Sequence, residues 1–219
     1  MRQNTSTAVM QRRVEAHDSL DDFPTPPWAT RAMLHHILGP IWGPLSQDTV
    51  WEPAANRGYM VRALAGAFSK VLATDIMDYQ YGFEQHDFLF PHENDEKCDW
   101  VITNPPFRLA EQFIEKGLRI ARRGVAVIVR TSFLEGVGRY ESLFSKMPPS
   151  IIAQHCERVP MVKGKYDPQA STATSYAWLI WAKNWPSEPV FKWIPKSKAS
   201  FERAGDVLHW LDWSKDHAA

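Results

Sequence analysis

Cysteine is scarce in this chain: Cys98 and Cys156 are the only two among 219 residues, they lie far apart, and neither belongs to a CxxC or other metal-type spacing. A disulfide framework and a cysteine metal site are thereby excluded, and a reducing, cytoplasmic compartment is expected. Net charge is also lacking, since 25 Lys and Arg balance 25 Asp and Glu. A polyanionic partner is therefore not announced by overall charge and would have to be met by local basic patches. No apolar run approaches the roughly 20 residues of a membrane span, and the opening Arg2, Gln3, Asn4, Thr5 is polar rather than signal-like. Internal repeats and low-complexity runs are missing as well.

What is present suits one sizeable α/β domain. Hydrophobic residues make up 44% and charged residues 23% of the chain, a balance that supports a packed core. Ten Trp residues are many for this length; most are expected in packing, although Trp is also a good stacking platform for bases.

Residues 1–22 lack periodicity and read as an N-terminal arm. From Phe23 the sequence FPTPPW is extended and proline-stiffened, and it leads into a helical pattern over 29–38 that Gly39-Pro40 is expected to stop. The chain then alternates. Strands are expected at 49–52 and 70–75, weakly at 81–86, and at 99–103, 124–130, 151–157 and 175–182; helices at 59–68, 108–121 and 139–146. GVAVIVR (124–130) is apolar throughout, as a central parallel strand buried on both faces must be. Such alternation implies a doubly wound, mostly parallel sheet, and the last two strong strands, with no helix between them, should run antiparallel. Residues 23–183 form the expected domain. Residues 184–219 form an extension packed on it, with a strand near 190–193 and a helix near 204–210.

The sharpest feature is Asn104-Pro105-Pro106-Phe107, directly after an apolar strand. Two prolines fix the backbone, so the Asn104 side-chain oxygen and the Pro105 carbonyl can both accept hydrogen bonds from a single amino group. An exocyclic amine on a base is a poor nucleophile because its lone pair is delocalised into the ring. Two acceptors on its hydrogens favour the pyramidal form, whose lone pair can meet an electrophilic methyl. Phe107 offers a flat face to the ring. An ordinary strand-to-helix turn with an aromatic anchor would use the same residue types.

Other segments narrow that choice. Glu52-Pro53-Ala54-Ala55-Asn56-Arg57-Gly58 follows the first strand and opens a helix, where a nucleotide-like cofactor binds in a doubly wound sheet. Asp75 ends the second strand, where a carboxylate can take a ribose diol. Asp87, in His86-Asp87-Phe88-Leu89, follows the weak third strand and could read an adenine amino group. Either Asp alone would serve equally well as a helix cap.

Taken together, these segments resemble the amino-methyltransferase family whose motif is written [DNS]PP[YFW], and most of all its N6-adenine DNA methyltransferases. The resemblance spans residues 23–183 and implies a Rossmann-like class I methyltransferase fold with S-adenosylmethionine as cofactor. It implies cofactor contacts from Thr25 and Pro26 of the TPP segment and from Glu52, Pro53, Ala54, Asn56 and Gly58 of the loop. Asp75 with Ile76, and Asp87 with Phe88, complete that set. Asn104, Pro105, Pro106 and Phe107 become the catalytic group, with no metal. The loop departs from the family in having Asn56 where glycine is usual, and the chain has no room for a separate target-recognition domain. The same motif serves enzymes of RNA amines and of protein glutamine, and a non-catalytic nucleic-acid-binding module would keep the same fold.

With the active edge at the carboxyl ends of the parallel strands, a polynucleotide would meet Arg130 and Ser132 after the central strand. It would also meet Arg158, Lys163, Lys165 and Tyr166 in the loop between the last two strong strands. A solvated hairpin loop is the competing reading of that second group. Arg119, Arg122 and Arg123 fall at the opposite edge, where a helix-dipole role suffices.

Overall fold

The computed structural model describes residues 21–208 apart from 94, 96 and 187. The N-terminal arm is therefore described only at Asp21 and Asp22, and the expected helix at 204–210 only as far as 208.

A helical run opens as α1 (Pro27–Met33), passes through a π-helical segment (Leu34–Leu38) and ends as α2 (Gly39–Trp42). Gly39-Pro40 does not stop it, contrary to the sequence reading. Pro40 cannot donate to an i−4 carbonyl, and the wider π register, with Gly39 N–H on the Leu34 carbonyl, lets the chain pass that missing bond. There follow β1 (Thr49–Glu52), α3 (Tyr59–Ala65), β2 (Lys70–Asp75), the short β3 (Glu84–Gln85), β4 (Trp100–Thr103), α4 (Ala110–Ile120) and β5 (Gly124–Arg130). A one-turn α5 (Val137–Arg139) runs into a second π segment, Tyr140–Phe144, and then come β6 (Ile151–His155), β7 (Tyr176–Ala182), β8 (Val190–Ile194) and α6 (Lys198–Phe201).

The eight strands form one sheet in the order β3-β2-β1-β4-β5-β7-β6-β8. β7 is antiparallel to both its neighbours, and every other pairing is parallel. The extension contributes the edge strand, with Val190 opposite Ile151 and Ile194 opposite His155.

Each face carries its own core. One gathers Trp28, Met33, Leu64, Trp100, Ile128 and Trp178 beneath α1 and α3. The other gathers Trp51, Ile114, Val125, Val127 and Leu179 beneath α4. α4 buries Phe113, Ile114, Gly117 and Ile120, a helical stripe, and a Cβ on Gly117 would come within 2.8 Å of Val125 Cγ2. Glycine there lets α4 lie close on the sheet. Two buried arginines lock the end of the described chain onto the first core: Arg31 makes a bidentate pair with Asp206 (2.7 and 2.8 Å), and Arg62 donates to the carbonyls of Gly205, Asp206 and Leu208. At the amino-terminal edge Arg122 and Arg123 pair with Asp99 and Asp48, a more specific use than a helix-dipole role.

Candidate active site

Two adjoining hollows open at the carboxyl ends of the parallel strands. The larger, of about 800 Å³ and open to solvent, is lined by Thr25, Glu52, Asn56, Asp75, Asp87 and Asn104 among others. The smaller, of about 460 Å³, is lined by Asn104, Pro105, Phe107, Arg130, Phe133 and Tyr176 among others. Asp21, Phe23 and Asn104 belong to both walls and mark the boundary.

Asn104 is fixed there. Its Nδ2 donates to the Phe23 carbonyl (2.9 Å) and lies 3.8 Å from Met161 Sδ. Because a carbonyl needs a donor, the amide nitrogen is on that side, and the amide oxygen is left as the acceptor at the boundary. After the two prolines, the Phe107 N–H donates to Asp21 Oδ2 (2.7 Å), and the Phe107 ring stands 48% exposed with the Arg130 guanidinium 5.7 Å from its centroid.

The larger hollow is acidic, with Asp21, Glu52, Asp75 and Asp87 in its wall and no Lys or Arg among its lining residues. Glu52 is buried. Its Oε1 accepts from the Ala54 N–H (3.0 Å) and the Thr103 hydroxyl (2.5 Å), while its Oε2 has no partner. Burial dominates these bonds and pushes its carboxyl up to about 8. The Thr25 hydroxyl is likewise buried without a partner. Asp75 accepts from the backbone N–H groups of Asn56 (2.8 Å) and Met77 (2.9 Å); burial raises its pKa.

Asn56 has the left-handed backbone (φ +50°) that a glycine would supply, and it adds what glycine cannot. Its Oδ1 accepts from the Arg57 N–H (2.8 Å) and its Nδ2 donates to Asp22 Oδ1 (2.8 Å), which also pairs with Arg57. The Gly164 N–H donates to the Asp22 carbonyl (2.9 Å). Residues 21–23 thus strap the cofactor-type loop, the Asn104 motif and the loop after β6 together.

Of the residues singled out in the sequence, Thr25, Glu52, Pro53, Ala54, Asn56, Asp75, Ile76, Asp87, Phe88, Asn104 and Pro106 line the larger hollow. Pro105, Phe107 and Arg130 line the smaller one. Pro26 and Gly58 lie outside both walls, as the N-caps of α1 and α3. Ser132, Lys163 and Lys165 are exposed and line neither hollow, and Lys165 is 3.6 Å from Asp167. Arg158 is exposed with its guanidinium on the Ser175 hydroxyl. Tyr166 lines neither hollow: it is 7% exposed, packs 6.0 Å from Tyr59 and bonds Glu202. Sequence reasoning missed Asp21, Phe23, Met161 and Tyr176. Only Phe23 carried a signal, its place beside the TPP segment.

No family model matches the sequence, and no curated protein matches it. Solved structures do match. A candidate RNA methyltransferase from Pyrococcus horikoshii shares 16% identity at a TM-score of 0.52, covering 74% of this chain and 88% of its own. The methyltransferase subunit of a type I restriction-modification system from Streptococcus thermophilus shares 12% identity at a TM-score of 0.58, covering 78% of this chain and 47% of its own. The fold is that of a class I methyltransferase. Its strand order and single reversed strand β7 are those described above. Among the described residues no helix is long and apolar enough to cross a membrane, and no cluster of three potential metal ligands occurs. Cys98 is buried and Cys156 exposed, both as free thiols.

Proposed function

We propose that the chain is an S-adenosylmethionine-dependent methyltransferase that modifies the N6 amino group of adenine in DNA. The observation that carries this reading is the fixed Asn104 amide, which lines both the acidic hollow and the hollow walled by Pro105 and Phe107.

The larger hollow fits this cofactor on physical grounds. A phosphate-bearing nucleotide would meet four carboxylates and no lining cation, whereas a ligand with cationic sulfonium and amino groups meets acceptors. The orphaned Glu52 Oε2 and Thr25 hydroxyl are polar atoms that a ligand can complete. Thr25 and Glu52 would hold the methionine end, Asp75 the ribose, and Ile76, Asp87 and Phe88 the adenine ring. When bound, S-adenosylmethionine supplies an electrophilic methyl group.

The protein's own part is orientation. The Asn104 oxygen and the Pro105 carbonyl accept the two hydrogens of the target amine and so aim its lone pair. Phe107, backed by Arg130, stacks the ring once the base has left its duplex. The nitrogen loses its extra proton after transfer, and Asp21, which lines both hollows, is well placed to receive it.

One neighbour is described as an RNA methyltransferase and another as a restriction-modification methyltransferase subunit, so the choice of DNA leans on the TPP and NPPF segments. Transfer of a labelled methyl group to unmethylated DNA, followed by nucleoside analysis, is the test. N6-methyladenine is expected, and label confined to RNA or protein would refute the DNA assignment. Asn104→Ala is expected to lower turnover by about 10²–10³-fold, the usual cost of losing one oriented polar partner, while cofactor binding stays within about twofold. Retained turnover in that variant would refute the assigned chemistry.

A further inference from the structure

Past the base-sized hollow, the same edge of the sheet continues into a third groove. Its wall includes Thr131, Gln154, Arg158, Ser175, Phe191 and Trp193. Thr131 and Ser175 are the chain neighbours of Arg130 and Tyr176, which line the base-sized hollow, so the two lie side by side along that edge. On β8, Phe191 and Trp193 project from one face, 52% and 63% exposed, edge to face with centroids 4.8 Å apart. They stand opposite Ile152 and Gln154 of β6 on the side of the sheet that α4 covers farther in, at β5.

An exposed Trp beside an exposed Phe on a sheet edge is costly in water unless something covers it. Charge indicates what does. Arg158 is exposed in the groove and is its cation, while Lys192, between the two aromatics on β8, alternates to the opposite face of the sheet. The groove's carboxylate, Glu157, is occupied: its Oε2 accepts from the backbone N–H groups of Ser197 and Lys198. Exposed aromatic faces with an arginine nearby, and an acid turned to backbone N–H groups, are the composition that holds an unpaired nucleic-acid strand.

We propose that this groove binds the DNA strand carrying the target base, with an unstacked base a few nucleotides away lying on Trp193 and Phe191 and a phosphate on Arg158. From β5 to β8 is three strand spacings, roughly 14 Å, a distance that a few nucleotides bridge. The assignment rests on a polynucleotide being the substrate. It gives the chain a recognition surface built from its own β8.

The test is fluorescence anisotropy with a labelled 30-nucleotide single-stranded DNA and its duplex, using the full chain and its Trp193→Ala and Arg158→Ala variants. Stacking on an aromatic platform is worth enough that Trp193→Ala should weaken single-strand binding about tenfold, and duplex binding by less, since paired bases hide their faces. Arg158→Ala should lower the slope of log affinity against log salt by about one, the signature of one lost phosphate contact. Cofactor affinity should be unchanged in both, and because both side chains are exposed, thermal unfolding should match the parent. Unaltered single-strand affinity and salt slope in both variants would overturn the proposal even if methyl transfer to DNA were observed. Weakened binding in both would support it even if no methyl were transferred.

Discussion

If the acidic hollow takes S-adenosylmethionine as proposed, Glu52 should link its binding to protons. Its carboxyl is pushed up to about 8 by burial, so at pH 7 roughly nine-tenths of the ligand-free protein carries it neutral. A cation at the unpartnered Oε2 favours the charged form and returns the pKa toward the ordinary carboxylate range. Binding of S-adenosylmethionine at pH 7 should therefore release about 0.9 proton from Glu52. The ligand's own amino group, if it titrates near an ordinary α-amine, takes up roughly a tenth in the opposite direction. The net is about 0.8 proton, and affinity should rise severalfold per pH unit up to pH 7, pass through a maximum near pH 8 and fall above it. Titration calorimetry at pH 7 in buffers of different ionisation enthalpy reads the proton count directly. Glu52→Gln keeps an acceptor for Thr103 and Ala54 but cannot titrate, so its proton release should vanish. A wild-type release near zero, or one unchanged in Glu52→Gln, would refute the reasoning. The sign for stability follows from the same shift. A folded pKa above the ordinary value of 4.5 means that the contribution of neutral Glu52 is fully present below about 4.5 and is lost as pH rises through about 8. The ligand-free protein should lose thermal stability between about pH 4.5 and 8 relative to Glu52→Gln.

Two further outcomes are expected. Asn56→Gly relaxes a left-handed residue but removes the side chain that holds Asp22, so global stability should change by less than about 1 kcal/mol. Amide exchange of residues 21–26 and of Phe107 should quicken, and unchanged exchange would show that the strap does not depend on this residue. Asp206→Asn leaves Arg31 buried without its charged partner, which typically costs about 3–5 kcal/mol and lowers the midpoint of thermal unfolding by roughly 10 °C. A drop of only a degree or two would show that the Arg31 guanidinium is satisfied by its bond to the Phe201 carbonyl.

The sequence by itself determined the layers of the sheet and which residues gather at its carboxyl edge. Apolar period and turn residues are local quantities, so GVAVIVR reads as a central strand and NPPF as a rigid strand exit before any partner is known. Strand ends put Glu52, Asp75 and Asn104 at one edge by topology alone. What spatial neighbours decide stayed out of reach. The helix past Gly39-Pro40 survives because α1 and α2 are packed on both sides of a π register, a tertiary override of a local stop signal. Tyr166 looked like a substrate contact in a polar loop, yet its ring is buried against Tyr59 from α3. Asn56 looked like a departure from a glycine turn until Asp22, 34 residues away in sequence, was seen to use its amide. Asn104 was legible as an acceptor, but the direction of its oxygen was not. That direction is imposed by the Phe23 carbonyl, 81 residues distant, because a hydrogen bond is specified by two groups and the sequence displays them one at a time.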